Sequence, residues 1–189
     1  MDMEQKINLL ARVASRSSNA ADGAAHVPVS ILTLAAASYG ARPSDEATVP
    51  TGFDPQACAL FEAIVEGAYL VASADGVFDD EERKTFEKVV TTACGGAVPL
   101  KAISALVADL ADQLDEDGLD GRVKALAQQA HRPEQSREVL RIAALIARVS
   151  DSVSEVERGV LAKIAEACGM RHQDVDVALE EARAALASA

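Results

Sequence analysis

From Pro55 onward, apolar side chains recur every three to four positions, the spacing that places them on one face of an α-helix. Proline, glycine and helix-capping residues divide this pattern into segments, and no strand pattern competes with it. The sequence therefore predicts an all-α bundle of about seven core helices. They are expected at about residues 55–74, 79–94, 99–114, 119–130, 134–149, 154–168 and 172–187.

The N-terminal residues differ in kind from the rest. Apolar residues at helical spacing predict a short amphipathic helix at residues 3–16, and residues 42–52 have the composition of a linker. The apolar segment at 27–39 is too short to span a bilayer, so we interpret it as a helix or extended arm that docks on the body. The alternative is a segment that binds a partner or touches a membrane. We divide the chain into residues 1–54, an N-terminal helix, arm and linker, and residues 55–189, the helical domain.

Two acidic turns occur at a constant offset along the chain. The stretches 74–83 and 149–158 align without a gap at an offset of 75, since 158 minus 83 is 75. Apolar positions match apolar positions on both sides of the two turns. Such similarity is typical of a duplicated structural unit. We predict two helical hairpins, at about residues 56–93 and 134–168, related by an approximate twofold rotation.

The duplication also makes predictions about equivalent side chains. Glu66 is equivalent to Arg141, so the two could pair across an interface between the hairpins, or both could be solvated on separate faces. We favour solvated side chains. Equivalent apolar positions should face a shared core and be buried, which applies to Phe86, Val89, Leu161 and Ile164.

The first interpretation of the acidic turns is helix capping. Asp79 can accept the backbone N–H of Glu82 while the Glu82 side chain reaches back, the reciprocal arrangement of a capping box. Ser154 and Glu157 fit the same template. Carboxylates in a first helical turn are also favoured by the helix dipole. Capping therefore explains the acidic residues without any ligand.

The second interpretation is a cation site. With Gly76 at the sharp-turn position of a calcium loop, Asp75 and Asp79 lie on either side of it and Glu82 falls at the closing bidentate position. The first half of such a loop lacks ligands, so these carboxylates would supply only part of a coordination shell. The same alignment of the acidic stretch 115–120 places a lysine at the closing position, and we interpret that stretch as a solvated turn between helices.

Composition limits the partners and the compartment. Thirty acidic against 18 basic residues give a net charge of −12, which disfavours nucleic acid and anionic lipid as partners. The three cysteines are odd in number and lie in apolar surroundings, which indicates reduced core cysteines and a cytoplasmic protein. The acidic start does not resemble a secretory signal, and no apolar run of about 18 residues predicts a membrane span.

Catalytic motifs are lacking. The three histidines, His26, His131 and His172, are scattered and have no triad-like context. The sequence has no HExxH, no CxxC and no phosphate-binding glycine loop. We therefore predict that the protein is not an enzyme.

The same residues resemble a known family. The run from Leu70 to Gly76, followed after five residues by Glu82 and Arg83 and repeated in degraded form at 142–170, is similar to the TerB-type tellurite-resistance family. The N-terminal domain of membrane-anchored DnaJ-like co-chaperones has a similar pattern. The likeness spans about residues 56–187. It implies a TerB-like helical bundle with pseudo-twofold symmetry, in which acidic residues of both repeats gather to bind a divalent metal ion or to form a protein docking surface.

Carried over by position, the resemblance implies metal ligands at Asp75, Asp79 and Glu82, with Glu157 retained in the second repeat. Ser150 stands where that repeat should have its motif aspartate. The resemblance therefore implies one asymmetric site, for Ca²⁺ or another hard divalent cation, rather than two equivalent sites.

Two functions remain open at this point. The first is a cytoplasmic stress-response protein of the tellurite-resistance type that binds a divalent cation through the acidic turn. The second is a metal-free helical adaptor or scaffold that binds a protein partner through its acidic surface or through the arm at residues 27–41. We expect a protein partner and no nucleic acid, and the oligomeric state is left open.

Overall fold

A computed structural model describes residues 2–17, 29–42, 53–76, 78–148 and 153–188. Within these ranges the chain forms eight helices and no strand, and the sole bridge joins Arg16 to Val29. The all-α prediction is confirmed. The helices are α1 (Met3–Ala14), α2 (Ile31–Gly40), α3 (Pro55–Ala72), α4 (Asp80–Ala93), α5 (Leu100–Ala127), α6 (Pro133–Ile146), α7 (Glu155–Ala167) and α8 (His172–Ser188).

Helix α3 lies at the centre of the bundle. It packs against α2, α5, α6 and α7, and every residue from Ala63 to Val71 is buried. A helix surrounded in this way must be apolar on nearly all sides, as its sequence is. The contact with α6 is close because Gly67 has no side chain, and a Cβ at that position would lie 2.9 Å from Cγ1 of Val139.

The core positions predicted from the duplication are buried. Phe86 and Val89 of α4 are 3% and 1% exposed, and Leu161 and Ile164 of α7 are both 0% exposed. The helices that carry them begin 75 residues apart, at Asp80 and Glu155. This core prediction is confirmed.

Helix α5 is interrupted where the sequence predicts a helix end. Gly118 has a φ of 69° and a ψ of 168°, a left-handed conformation that glycine adopts without the steric penalty of a side chain. Two helical segments meet at this residue within a single element. The segments before and after Gly118 are thus two helices joined at a kink, which agrees with the predicted end of one helix and start of the next.

The two N-terminal helices pack on the body. Helix α1 lies mainly against α4, with further contacts to α6 and α8, and α2 lies against α3. Buried residues such as Leu10 of α1 and Leu32 of α2 belong to the same core as α3. The apolar segment predicted as a helix or arm thus contains a docked helix, Ile31–Gly40. Its first residues, 27–28, and most of the predicted linker, 43–52, lie outside the described residues.

The charged pair suggested by the duplication does not form, and its members are not solvated either. Glu66 is 5% exposed, and its carboxylate accepts a hydrogen bond from Nε of Arg122 at 2.6 Å. Arg141 donates to Glu138 and to two carbonyl oxygens at the end of α1. Both interpretations of Glu66 and Arg141 are therefore wrong, because each residue has a different partner that the packing of α5 and α1 brings near.

Candidate functional site

The first acidic turn begins where α3 ends. The hydroxyl of Ser73 donates to the carbonyl of Tyr69 at 2.9 Å, and the amide of Gly76 donates to the carbonyl of Ser73 at 3.0 Å. Gly76 has a φ of 82°, which explains glycine at this point of the turn. Asp75 precedes it and is exposed. Val77 lies outside the described residues.

Three aromatic rings anchor the end of this turn to the core. The ring of Phe78 meets those of Tyr69 and Phe86 nearly edge to face, at centroid distances of 5.3 and 5.9 Å. Tyr69 and Phe86 make a similar contact at 6.4 Å. Edge-to-face pairs are favourable because a positive ring edge meets a negative ring face. This cluster therefore fixes the position at which α4 begins.

Both predicted capping boxes are formed. Oδ1 of Asp79 accepts the backbone N–H groups of Glu81 and Glu82 at 2.8 and 2.9 Å, and Oε2 of Glu82 accepts the N–H of Asp79 at 3.1 Å. In α7, Oγ of Ser154 accepts the N–H of Glu157 at 3.2 Å, and Oε2 of Glu157 accepts the N–H of Ser154 at 2.7 Å. The structural role that the sequence assigns to these residues is thus present.

The first turns of α4 and α7 line one cleft of about 280 Å³, here called the acidic cleft. Three of the four predicted site residues, Asp79, Glu82 and Glu157, lie in its wall together with Glu81. Asp75 belongs to the adjoining turn. Among the described residues no basic side chain lines the cleft, so its potential is strongly negative. The remaining lining residues are mostly apolar: Met3, Ala72, Phe78, Thr85, Phe86 and Ile146.

The donor chemistry of the acidic cleft suits a hard cation, because carboxylate oxygens are the ligands that Ca²⁺ and Mg²⁺ prefer. Over the described part of the chain, no three His, Cys, Asp or Glu side chains are grouped closely enough to hold a metal ion. One oxygen each of Asp79, Glu82 and Glu157 instead accepts a backbone N–H at a helix start. Residues 149–152, which include Ser150 at the motif position of the second repeat, lie outside the described residues.

The sequence did not predict the apolar part of the acidic cleft. Met3 comes from the first turn of α1 and Ile146 from the last turn of α6, so both reach the cleft through packing between distant segments. Helical periodicity indicates that such residues lie on an apolar face, but not which helix that face meets. Only the three-dimensional arrangement identifies them.

The second acidic stretch is engaged by basic side chains. Asp117 accepts a hydrogen bond from Arg122 at 3.0 Å, and Asp120 pairs with Lys163 of α7. These contacts connect the kink of α5 to neighbouring residues. They agree with the sequence interpretation of this stretch as a turn rather than a calcium loop.

The cysteines are free thiols. Cys58 and Cys94 are buried and Cys168 is half-buried. Burial raises the pKa of Cys94 to about 12, so this thiol is protonated at neutral pH. None of the described helices combines the length and the apolar character needed to cross a membrane.

Comparison with known protein families matches residues 61–180 to the family described as Tellurite resistance protein TerB. The match covers more than half of the chain. It includes both acidic turns and the residues of α3, α4, α6 and α7 that line the acidic cleft. No curated protein and no solved structure matches the chain. The helical architecture and the extent of the family match together show that this chain belongs to the TerB tellurite-resistance family.

Proposed function

We propose that this TerB-family protein is a binding protein whose acidic cleft holds a cationic, partly apolar segment of a partner protein. The observation that supports the proposal is the composition of the cleft. Four carboxylates lie beside Met3, Phe78 and Phe86 in a single concavity. A lysine or arginine side chain has the matching chemistry, since it combines an apolar stem with a charged head.

The size of the acidic cleft favours side chains over a cofactor. Its volume of about 280 Å³ falls just below the range of about 300 to 1,000 Å³ that is typical of small-molecule sites. An amphipathic helix could place apolar anchors against the aromatic side chains and basic residues against the carboxylates. The negative charge would also raise the rate at which such a segment associates.

A second candidate function is divalent-cation binding at the same place. The observation in its favour is that Asp79 and Glu82 of one repeat and Glu157 of the other line one cleft, with Asp75 in the adjoining turn. Glu82 and Glu157 each use one carboxylate oxygen to accept a backbone N–H, so a cation would either take the second oxygen or compete with the cap. A role in tellurite resistance or another stress response is part of this proposal, and the family match is its only support.

The partner hypothesis is tested by fluorescence anisotropy with a labelled amphipathic peptide of lysine and leucine. The informative variant is Glu82→Gln/Glu157→Gln, because glutamine keeps an oxygen for each cap and removes the charge. The matched control is Asp80→Asn/Glu155→Gln, which removes the same charge from the same two helical turns outside the acidic cleft. We expect at least about tenfold weaker binding for the first variant, since losing a charged contact costs about 1.5 to 3 kcal/mol.

A further pair of variants separates the two candidate functions. Met3 is 52% exposed and lines the acidic cleft, so Met3→Ala should weaken peptide binding and leave cation binding unchanged. Asp75→Asn should instead weaken the binding of Ca²⁺, Mn²⁺ or Zn²⁺ measured by calorimetry. If the peptide does not bind, or binds both double variants equally, the partner hypothesis is wrong. If no cation binds to the wild-type protein, the second candidate is wrong.

A further inference from the structure

A larger cavity, of about 720 Å³, lies where α6 and α8 begin. Its charge is opposite to that of the protein as a whole, because four arginines and two carboxylates line it in a chain with 30 acidic and 18 basic residues. We call this cavity the arginine groove. Its charged lining residues are Arg132, Arg137, Arg141, Arg171, Asp174 and Glu181.

The four arginines are not equally engaged. Arg141 is held by a neighbouring carboxylate and by carbonyl oxygens of α1, and Arg171 pairs with Asp174 at 3.2 Å. Arg132 and Arg137 are exposed and form no ion pair with any described residue. The charge of Arg137 helps to lower the pKa of Asp174, behind the larger effect of Arg171, but the Arg132 and Arg137 guanidinium groups hold no direct ion pair and can meet an incoming anion.

Two further features add to the positive potential of the arginine groove. Helix α6 begins at Pro133, which lines the groove, and α8 begins directly after Arg171. The N-terminal end of a helix presents unpaired N–H groups and a partial positive charge, so both helix starts favour an anion. These helix ends reinforce the arginines and do not act as a site by themselves.

The floor of the arginine groove is uncharged. Leu140 and Met170 line it together with the half-buried thiol of Cys168. Burial raises the pKa of Cys168, and a hydrogen bond involving Ser136 offsets this only in part. The thiol is thus neutral at neutral pH and does not repel an anion.

We propose that the arginine groove binds a small phosphorylated anion. Planar guanidinium groups donate paired hydrogen bonds to phosphate oxygens, and the groove volume lies within the usual range for small-molecule sites. A phosphate group carries a charge of about −1.5 to −2, so it attracts the arginines more strongly than the single charge of a carboxylate such as Asp174 does. The apolar floor can accommodate the organic part of such a ligand.

The test uses inorganic pyrophosphate as the probe and calorimetry as the measurement. Arg137→Gln removes an exposed guanidinium group of α6 without breaking an ion pair seen among the described residues. The matched control is Arg183→Gln, because Arg183 is an exposed arginine of α8 that pairs with Glu180 outside the groove. We expect binding to weaken about tenfold in Arg137→Gln and to be unchanged in Arg183→Gln.

Alkylation of Cys168 provides an independent readout, since this thiol lines the arginine groove. Pyrophosphate should slow its reaction with iodoacetamide in the wild-type protein and in Arg183→Gln, and less so in Arg137→Gln. Three results would overturn the proposal. They are no binding of pyrophosphate to the wild type, equal weakening in both variants, and binding of a hexaglutamate peptide in place of pyrophosphate.

Discussion

Replacing Arg122 by glutamine tests whether its ion pair with Glu66 stabilises the interior of the bundle. The guanidinium Nε donates to the carboxylate of Glu66 at 2.6 Å, and the two side chains are 15% and 6% exposed. The substitution removes the charge partner and leaves the Glu66 carboxylate buried. Removing one member of a buried ion pair costs about 3 to 5 kcal/mol, because the remaining charge has lost both water and partner. For a chain of this length, the melting temperature should fall by about 6 to 20 °C.

The loss should depend on pH in a defined direction. Burial raises the pKa of Glu66 above its ordinary value of 4.5, and the hydrogen bond from Arg122 offsets only part of that rise. A carboxyl with a raised pKa in the folded state contributes its full stability below pH 4.5, and that contribution is lost as the pH rises through the raised pKa. Without Arg122 the pKa of Glu66 rises further. The difference between wild type and Arg122→Gln should therefore be larger at pH 7 than at pH 4.5.

Urea denaturation followed by far-ultraviolet circular dichroism at the two pH values measures this difference. Glu66→Gln in the Arg122→Gln background should restore part of the stability at pH 7, since it removes the buried charge. The control is Arg183→Gln, which breaks an exposed pair with Glu180 and should cost at most about 1 kcal/mol. A loss below about 1 kcal/mol for Arg122→Gln, or one that is equal at both pH values, would show that Arg122 does not stabilise a buried Glu66 carboxylate.

Three further predictions concern stability and reactivity. Asp79→Ala and Ser154→Ala each remove a helix N-cap and should each lower the free energy of unfolding by about 0.5 to 2 kcal/mol in urea denaturation, and an unchanged midpoint would contradict the capping geometry. Leu161→Ala should cost about 2 to 5 kcal/mol because the residue is 0% exposed, whereas Leu34→Ala, at 62% exposed, should stay within about 0.5 kcal/mol. At pH 8, Cys94 should be alkylated last of the three cysteines because burial raises its pKa to about 12, which mass spectrometry of the labelled peptides can check.

Much of the helical architecture could be predicted from local sequence. The caps at Asp54, Asp79 and Ser154 form hydrogen bonds within three residues along the chain, so their geometry depends on nearby sequence alone. The start of α3 at Pro55 follows from the same local chemistry. The break at Gly118 was predicted as well, because the acidic residues and the glycine at 115–118 are a local stop signal for a helix.

The candidate sites depend more heavily on distant contacts. The sequence placed Asp79, Glu82 and Glu157 in acidic turns, and the resemblance to the TerB family grouped them. The apolar side chains of the acidic cleft come from α1, α3, α4 and α6, and the arginine groove combines residues near the starts of α6 and α8. A signal for the groove was present in the basic residues Arg132, Arg137 and Arg141, but their spacing alone did not bring Arg171 to them.

Local sequence is enough to predict the all-α class, the approximate helix positions, the caps of the two acidic turns and the burial of Phe86 and Leu161. These features arise from hydrogen bonds and periodicity over a few residues. The pairing of Glu66 with Arg122, 56 residues away, and the set of helices that enclose each cavity depend on how the whole chain folds. The reason is physical: a partner for a buried charge is chosen by how whole helices cross and pack, and that depends on the shapes of all the apolar faces together.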